Sequence, residues 1–308
     1  MKYSIKHKLN ISKMTLGTVQ LGMNYGINNA SGMPSQIESF RILDTAYHGG
    51  VTVLDTSDDY GQSEAVIGQY LRQNTDKQFT ICTKFSASRK GDLSLHDALR
   101  NFAQKACEKL SVSQIPIFMS HTERDYFTYG EELVSALNEL KEEGLIQNAA
   151  ISIERKDCLE EIVACGAFDA IQLPLNLLDN KVIRDGLIKK ASDSGIAVFV
   201  RSVYLQGLFF RDPQALKNTK FDAAAPLVER IHQIAQKEGL TPAQLALSFI
   251  RDTEGVDSLV IGSETAAQVS QNIEMFHTPV LSKTLRDNLL SDFEHVDPFV
   301  ISPWEWSK

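Results

Sequence analysis

Residues 51–61 read VTVLDTSDDYG, and this stretch decides how the rest of the chain is read. Val51, Thr52, Val53 and Leu54 form an apolar, β-branched run of the kind that fills a buried parallel strand. The run ends in Asp55, Thr56, Ser57, Asp58, Asp59 and Tyr60, which puts three carboxylates and a phenol within six residues. Gly61 and Ser63 then punctuate the chain, and Ala65, Ile67 and Leu71 resume an apolar pattern at helical spacing. A strand whose C-terminal end hands directly to a carboxylate and a phenol is a natural place for chemistry. Taken alone, a polar loop behind a strand explains the same residues.

Outward from this stretch the alternation repeats. Strands are expected at residues 14–21, 79–84, 115–121, 146–152, 168–172, 196–201 and 258–261. Helices are expected to open at Pro34-Ser35, and at 94–109, 130–143, 156–165, from the strand at 168–172 through 190, and at 223–238, 241–251 and 265–275. Residues 1–13 alternate at Tyr3, Ile5, Leu9 and Ile11, which predicts a hairpin or plug outside the main fold. Residues 205–219 read as an inserted loop, and 282–293 as a last amphipathic helix before a Pro- and Trp-containing tail. Eight strands, each followed by a helix and with no compositional break, predict an α/β fold: a single-domain (β/α)8 TIM barrel over residues 1–308. The alternative is a doubly wound open sheet, but no GxGxxG follows the first strand.

The totals narrow the function. Hydrophobic residues make up 43% and charged residues 23%, ordinary for a globular protein able to bury a full core. A net charge of −8 leaves no basic surplus to neutralise phosphates, which argues against nucleic acid as a partner. No apolar run approaches a membrane span, and MKYSIKHKLN has no apolar core of a secretory signal behind it. Cys82, Cys107, Cys158 and Cys165 are scattered without metal-ligand spacing, so no metal site is expected and a reducing cytoplasm fits.

In a barrel the strand ends meet in one ring. The polar residues there are Asp55 and Tyr60, Lys84, His121, Ser152, Gln172, and Arg201 with Ser202. Singly, each has a structural explanation: a snorkelling lysine, a core histidine, side chains tying off backbone groups. Together, Asp55, Tyr60, Lys84 and His121 form a proton-donating assembly. A phenol titrating near 10 is a poor donor at neutral pH; an ammonium beside it is expected to lower that pKa, and an aspartate keeps the ammonium charged and placed. A histidine on the adjoining strand can polarise and orient a substrate oxygen. The assembly holds no nucleophile, so a hydride or its equivalent must come from a cofactor.

DTSDDYG at 55–61, Thr83-Lys84 and Ser120-His121 resemble the tetrad segments of the aldo-keto reductase superfamily. The resemblance runs on through GTVQLG near the start, AAIS at 149–152, IQLPLN at 171–176, VRSVYLQG at 200–207 and IGSETAAQVSQNI at 261–273. It implies hydride transfer from a reduced nicotinamide, bound across the barrel mouth, to an aldehyde or ketone. By it, Tyr60 is the general acid, Lys84 its partner, Asp55 the partner of Lys84, and His121 the carbonyl-orienting group. Gly17 and Thr18 belong to the first of the matched segments and are expected at the cofactor, with Asp55. Ser152 and Gln172 match positions that hold the carboxamide, and Arg201 stands where many members place an aromatic ring. Ser202, Tyr204 and Gly207 match the pyrophosphate turn; Gly262, Ser263, Gln268, Gln271 and Asn272 match the segment at the adenosine end. Two departures stand out. Ile153 replaces an amide-bearing asparagine, and Gln268 replaces an arginine common in NADPH-selective members, with Glu264 adding negative charge. The cofactor is therefore expected to be NADH or NADPH, with NADH favoured.

Two other readings remain on these residues: a dinucleotide-sensing regulator on the same barrel, and a lyase or aldolase using Lys84 as a Schiff-base amine. The intact tetrad weighs against the first and the charge that Asp55 imposes on Lys84 against the second. Substrate loops are expected at 24–33, 122–129 and 205–219 and in the tail around Trp304 and Trp306. Asn24, Tyr25, Asn28, Asn29, His121, Arg124 and Arg201 make the mouth polar, which suits a sugar or hydroxylated aldehyde. The helices show no heptad seam that would set an oligomeric state.

Overall fold

The computed structural model describes residues 1–25 and 32–306. Its strands are β1 (Tyr3–Lys6), β2 (Leu9–Ser12), β3 (Met14–Gly17), β4 (Val53–Asp55), β5 (Thr80–Phe85), β6 (Ile115–Ser120), β7 (Ile146–Ser152), β8 (Ala170–Pro174), β9 (Ala197–Arg201) and β10 (Ser258–Gly262). β1 and β2 pair antiparallel as a separate hairpin, and the other eight close into a barrel in the order β10-β3-β4-β5-β6-β7-β8-β9, every pair parallel. The α/β reading, the (β/α)8 barrel and the N-terminal hairpin are thereby met.

Two apolar layers hold it together. Inside the barrel lie Val53, Cys82, Ile117, Met119, Ala150, Ala170, Ala197 and Phe199, together with Leu9 and Ile11 of β2, so the hairpin plugs one end. The alternate strand residues, among them Leu54, Ile81, Phe118, Ile151, Ile171 and Val198, face the surrounding helices in a second, larger cluster. Strands covered on both faces must be apolar at successive positions, which is why they were readable as unbroken runs.

Helices begin where short polar side chains can cap them. Ser35, Ser94, Thr265 and Ser282 each accept from a backbone N–H of the first turn, and Thr241 forms a reciprocal capping box with Gln244. Three expectations change. The first strand stops at Gly17 rather than running to residue 21, because the chain turns into the short helix Val19–Gly22. Residues 122–129 are not a loop: Thr122 caps the helix Glu123–Tyr129. The helix expected through 190 is two, Lys181–Arg184 and Leu187–Asp193, parted at Gly186 with φ 71°. The inserted segment after β9 contains a 3-10 turn, Leu205–Phe210, and the short helix Pro213–Leu216. Among the described residues no helix is long and apolar enough to cross a membrane.

Candidate active site at the barrel mouth

Strand geometry assembles the site before any loop contributes. Successive side chains on a strand alternate faces, so a residue two places beyond an interior residue also points inward, one layer higher. Val53 leads in this way to Asp55, Cys82 to Lys84, Met119 to His121, Ala150 to Ser152, Ala170 to Gln172 and Phe199 to Arg201. The first member of each pair lies in the interior cluster. The register sets Ser152 opposite Gln172, and Lys84 opposite Met119, the interior residue one layer below His121. The apolar core of the barrel and the polar ring at its mouth are one pattern continued.

Lys84 Nζ donates to Asp55 Oδ1 at 2.7 Å and to Thr56 O at 3.1 Å. Asp55 Oδ2 accepts from Gln172 Nε2 at 2.7 Å, so both carboxylate oxygens are held. The Lys84 and Asp55 side chains are 1% and 5% exposed. Burial disfavours the ammonium, but Asp55, then Tyr60 and Cys82, hold the Lys84 pKa above the ordinary lysine value. Lys84 Nζ stands 5.1 Å from the centre of the Tyr60 ring, and the His121 ring meets that of Tyr60 edge-on at 6.0 Å and 78°. The four residues of the sequence-derived tetrad are together.

The direction of the Tyr60 shift differs from the sequence-based expectation. Burial raises the phenol above 10 and is the largest influence; Lys84 and Arg201 pull it down, while Asp55 adds to the rise. The lysine acts as expected, but desolvation of the anion outweighs it. His121 is shifted below the ordinary histidine value of 6.5, by burial first and Lys84 second, against the opposite pull of Asp59.

Tyr60 sits on a loop held from below. Thr56 Oγ1 donates to Ser63 Oγ at 2.9 Å, Ser63 Oγ donates to Thr18 O at 2.9 Å, and Thr18 Oγ1 donates to Asp55 O at 2.8 Å. Thr18, expected at the cofactor, is therefore fully buried with its hydroxyl committed to Asp55. Gln62 N donates to Gly22 O at 3.2 Å, and Gly22 lies so close that a Cβ there would be 1.7 Å from Tyr60 O.

The rim of the mouth beyond the tetrad carries a strained turn and a close-packed pair of glycines. After β9 the chain passes through Ser202 (φ 61°), Leu205 (46°), Gln206 (53°) and Gly207 (88°). Left-handed backbone at three non-glycine residues in six is a strained turn of the kind found at ligand clamps. Gly17 and Gly262 are paired across β3 and β10, and a Cβ on Gly262 would overlap the Gln20 amide at 2.6 Å. The buried Gln20 Oε1 has no hydrogen-bond partner among the described residues, an acceptor aimed at this cradle that sequence reasoning did not single out. Ser152 is buried at the end of β7 and Gln172 within β8. Ile153 packs into the outer core, its N–H donating to Gln172 O at 2.7 Å, so it offers the mouth nothing. Asn272 Nδ2 donates to Ser263 Oγ at 3.0 Å, and Gln268 Oε1 accepts from Glu264 N at 2.7 Å over the start of the helix Ala266–Met275. Gln271 lies on that same helix. Arg201 ends β9, half-buried, and its charge is felt by Tyr60 and by the buried ion pair of Lys156 with Asp179.

The expected substrate loops are met unevenly. Asn28, Asn29 and the side chain of Trp304 lie outside the described part of the structure. Trp306 is tied into the tail and to the segment after β9: its Nε1 donates to Phe299 O at 2.9 Å and its ring packs edge-on against Phe221 at 5.0 Å.

The sequence and the fold have known relatives. Residues 13–287 match the model of the Aldo/keto reductase family. The chain is 27% identical over 296 residues to the NADH-specific methylglyoxal reductase of Escherichia coli (strain K12), covering 86% of this chain and 90% of that protein. It is 25% identical over 301 residues to a probable aldo-keto reductase of Glycine max, covering 90% and 84%. Among solved structures, an aldo-keto reductase from Bacillus halodurans in its holo form superposes with a TM-score of 0.77 over 98% of this chain and 99% of that one, at 20% identity.

Proposed function

The chain belongs to the aldo/keto reductase family and is an NAD(P)H-dependent carbonyl oxidoreductase; from that premise we propose that Tyr60 hands the proton to the carbonyl oxygen of a small, hydroxylated aldehyde or ketone. The observation that carries this reading is the buried chain from Gln172 through Asp55 to Lys84 beneath the Tyr60 ring. Asp55, held on both oxygens, keeps Lys84 protonated against burial. Lys84 then places a fixed positive charge under the phenol, where negative charge develops as the proton leaves. The raised Tyr60 pKa keeps the phenol protonated through the neutral range, as a donor must be. His121 orients the substrate.

A reduced nicotinamide, when bound, supplies the hydride. Ser152 and Gln172 would hold its carboxamide, Gln172 through Oε1 or the second N–H of Nε2, the first being engaged by Asp55, and Arg201 would lie against the ring. Ser202, Tyr204 and Gly207 would hold the pyrophosphate; Gly17, Gly262, Ser263, Gln268, Gln271 and Asn272 would line the adenosine end. We favour NADH. The segment 261–275 carries no lysine or arginine, Gln268 is turned onto the backbone of Glu264, and the relative from Escherichia coli is described as NADH-specific. The polar mouth, with His121, Arg124 and Arg201, supports a hydroxylated substrate.

The test is oxidation of NADH and NADPH against a panel of small aldehydes and aldoses by wild type and Tyr60→Phe. The expected result is turnover by wild type, faster with NADH, and a kcat reduced by roughly 10²–10⁴ in the variant. A Tyr60→Phe enzyme as fast as wild type overturns the assignment.

A further inference from the structure

The way His121 is held decides which substrate group it can meet. Its Nδ1 lies 3.0 Å from Asp59 Oδ2, with Ser57 Oγ further off at 3.5 Å. Asp59 Oδ1 is 3.1 Å from the Arg89 guanidinium, so a permanent cation fixes one oxygen and turns the other to the ring. A carboxylate oxygen can only accept, so the proton in the His121–Asp59 bond sits on Nδ1. The charged groups facing the ring are Asp59, Lys84 and Asp55, with the Tyr60 phenol ring at its edge. Their sum, with burial, disfavours a second proton on the imidazole. The ring is then neutral at pH 7, with Nδ1 as its N–H and Nε2 carrying a lone pair. A lone pair repels a carbonyl oxygen and accepts from a hydroxyl.

We propose that Asp59 fixes His121 as a hydrogen-bond acceptor at Nε2, so that the ring selects carbonyl substrates bearing a neighbouring hydroxyl, the α-hydroxyaldehydes and α-hydroxyketones, instead of gripping the carbonyl oxygen. The proposal rests on the carbonyl-reduction reading and narrows its substrate class. It divides the labour at the mouth: Tyr60 over Lys84 serves the carbonyl oxygen, and His121 over Asp59 serves the hydroxyl beside it. Asp59 acts through His121 and is a positioning residue. A hydroxyl in place of hydrogen is a difference that such a site reads strongly, because a substrate without it leaves the lone pair unmatched.

Two measurements on the full chain decide it. In ¹⁵N-histidine-labelled protein at pH 7, with the His121 signals identified by their loss in His121→Gln, Nδ1 is expected to resonate as a pyrrole-type N–H and Nε2 as a pyridine-type nitrogen. The reverse assignment, or two protonated nitrogens, overturns the proposal. In turnover with NADH, wild type is expected to prefer glycolaldehyde to acetaldehyde. Asp59→Ala, which frees the ring to change tautomer, is expected to narrow that ratio about five- to tenfold while acetaldehyde turnover is kept. An unchanged ratio, or an equal loss on both aldehydes, overturns the proposal. Failure of wild type to reduce either aldehyde counts against the reduction reading instead, and the nitrogen spectrum still decides the tautomer.

Discussion

Replacing Gly22 by alanine tests whether the position of Tyr60 is set by the backbone beneath it. A Cβ on Gly22 would lie 1.7 Å from Tyr60 O, 2.4 Å from Ser63 N and 2.9 Å from Gln62 N. All three are backbone atoms, so no rotamer change relieves the overlap. Reaching ordinary van der Waals separation requires the loop and the helix Val19–Gly22 to part by roughly 1.5–2 Å. The bonds that would stretch are those that hold the loop: Gln62 N to Gly22 O at 3.2 Å, and Ser63 Oγ to Thr18 O at 2.9 Å. A misplacement of about 1 Å at a reacting group costs on the order of 10² in rate, and overpacking costs about 1–3 kcal/mol of stability. Gly22→Ala is therefore expected to lose about 100-fold in kcat while its thermal midpoint falls by only about 2–12 °C. Gly61→Ala, whose Cβ would come within 2.4 Å of Gly22 O at φ 56°, approaches the same contact from the other side and is expected to behave alike. The assay is NADH oxidation with the best aldehyde of the panel, on protein shown to be folded by circular dichroism. A folded Gly22→Ala enzyme with wild-type kcat refutes the reasoning.

Three further outcomes follow from the same geometry. Lys84→Met leaves Asp55 buried as an uncompensated charge with Gln172 as its remaining side-chain partner, so urea denaturation is expected to show a loss of about 3–5 kcal/mol. Asp55→Asn in that background should recover a large part of the stability and none of the activity; a double variant no more stable than the single one defeats the account. Gln268→Arg is expected to improve kcat/KM for NADPH relative to NADH about tenfold by pairing with a 2′-phosphate, and an unchanged ratio would place that phosphate elsewhere. In pH–rate profiles of reduction, Tyr60 is held above 10 and must be protonated, so the alkaline limb lies above 10; removing the positive charge in Arg201→Gln should move it higher. His121 is held below 6.5 and must be neutral, so the acid limb lies below 6.5, and Asp59→Ala, which removes a raising influence, should move it lower.

The fold was legible in this sequence because barrel strands are covered on both sides, and apolar runs such as FTICTK and IPIFMSH have few other uses. What was misread follows from physics that apolar periodicity does not carry. The segment ERDYFTY at 123–129 has few apolar residues, yet Thr122 caps it and Glu123 and Asp125 supply first-turn carboxylates; the cap, not the pattern, was its signal. The run MTLGTVQL reads as one strand, but only Met14–Gly17 is paired, to β10 along its length and to β4 from Thr15 on. At Thr18 the hydroxyl turns back to Asp55 O and the ladder ends. Gly186 was a break that the surrounding apolar residues concealed.

The site divides along the same line. Asp55, Lys84, His121, Ser152, Gln172 and Arg201 are each one strand-period above an interior residue, so the pattern that predicts the core also predicts which polar residues share the mouth. That rule fixes position and not partner. Gln172 and Asp55 are 117 residues apart in sequence, and their bond takes up one of the two N–H groups of the Gln172 amide. His121 and Asp59 are 62 residues apart, and their contact depends on the turn from Ser57 to Tyr60, where Asp59 N donates to Ser57 Oγ at 3.1 Å and Tyr60 N to Ser57 O at 3.0 Å. Residues at strand ends thus declare the type of reaction, because their inward direction is dictated by the sheet. In the proposed reading, the loop residue next to Tyr60 decides which lone pairs and protons those groups present, and with them which carbonyl compounds the mouth accepts. On that reading substrate choice turns on Asp59, a residue whose place in the sequence marks it only as one carboxylate among three.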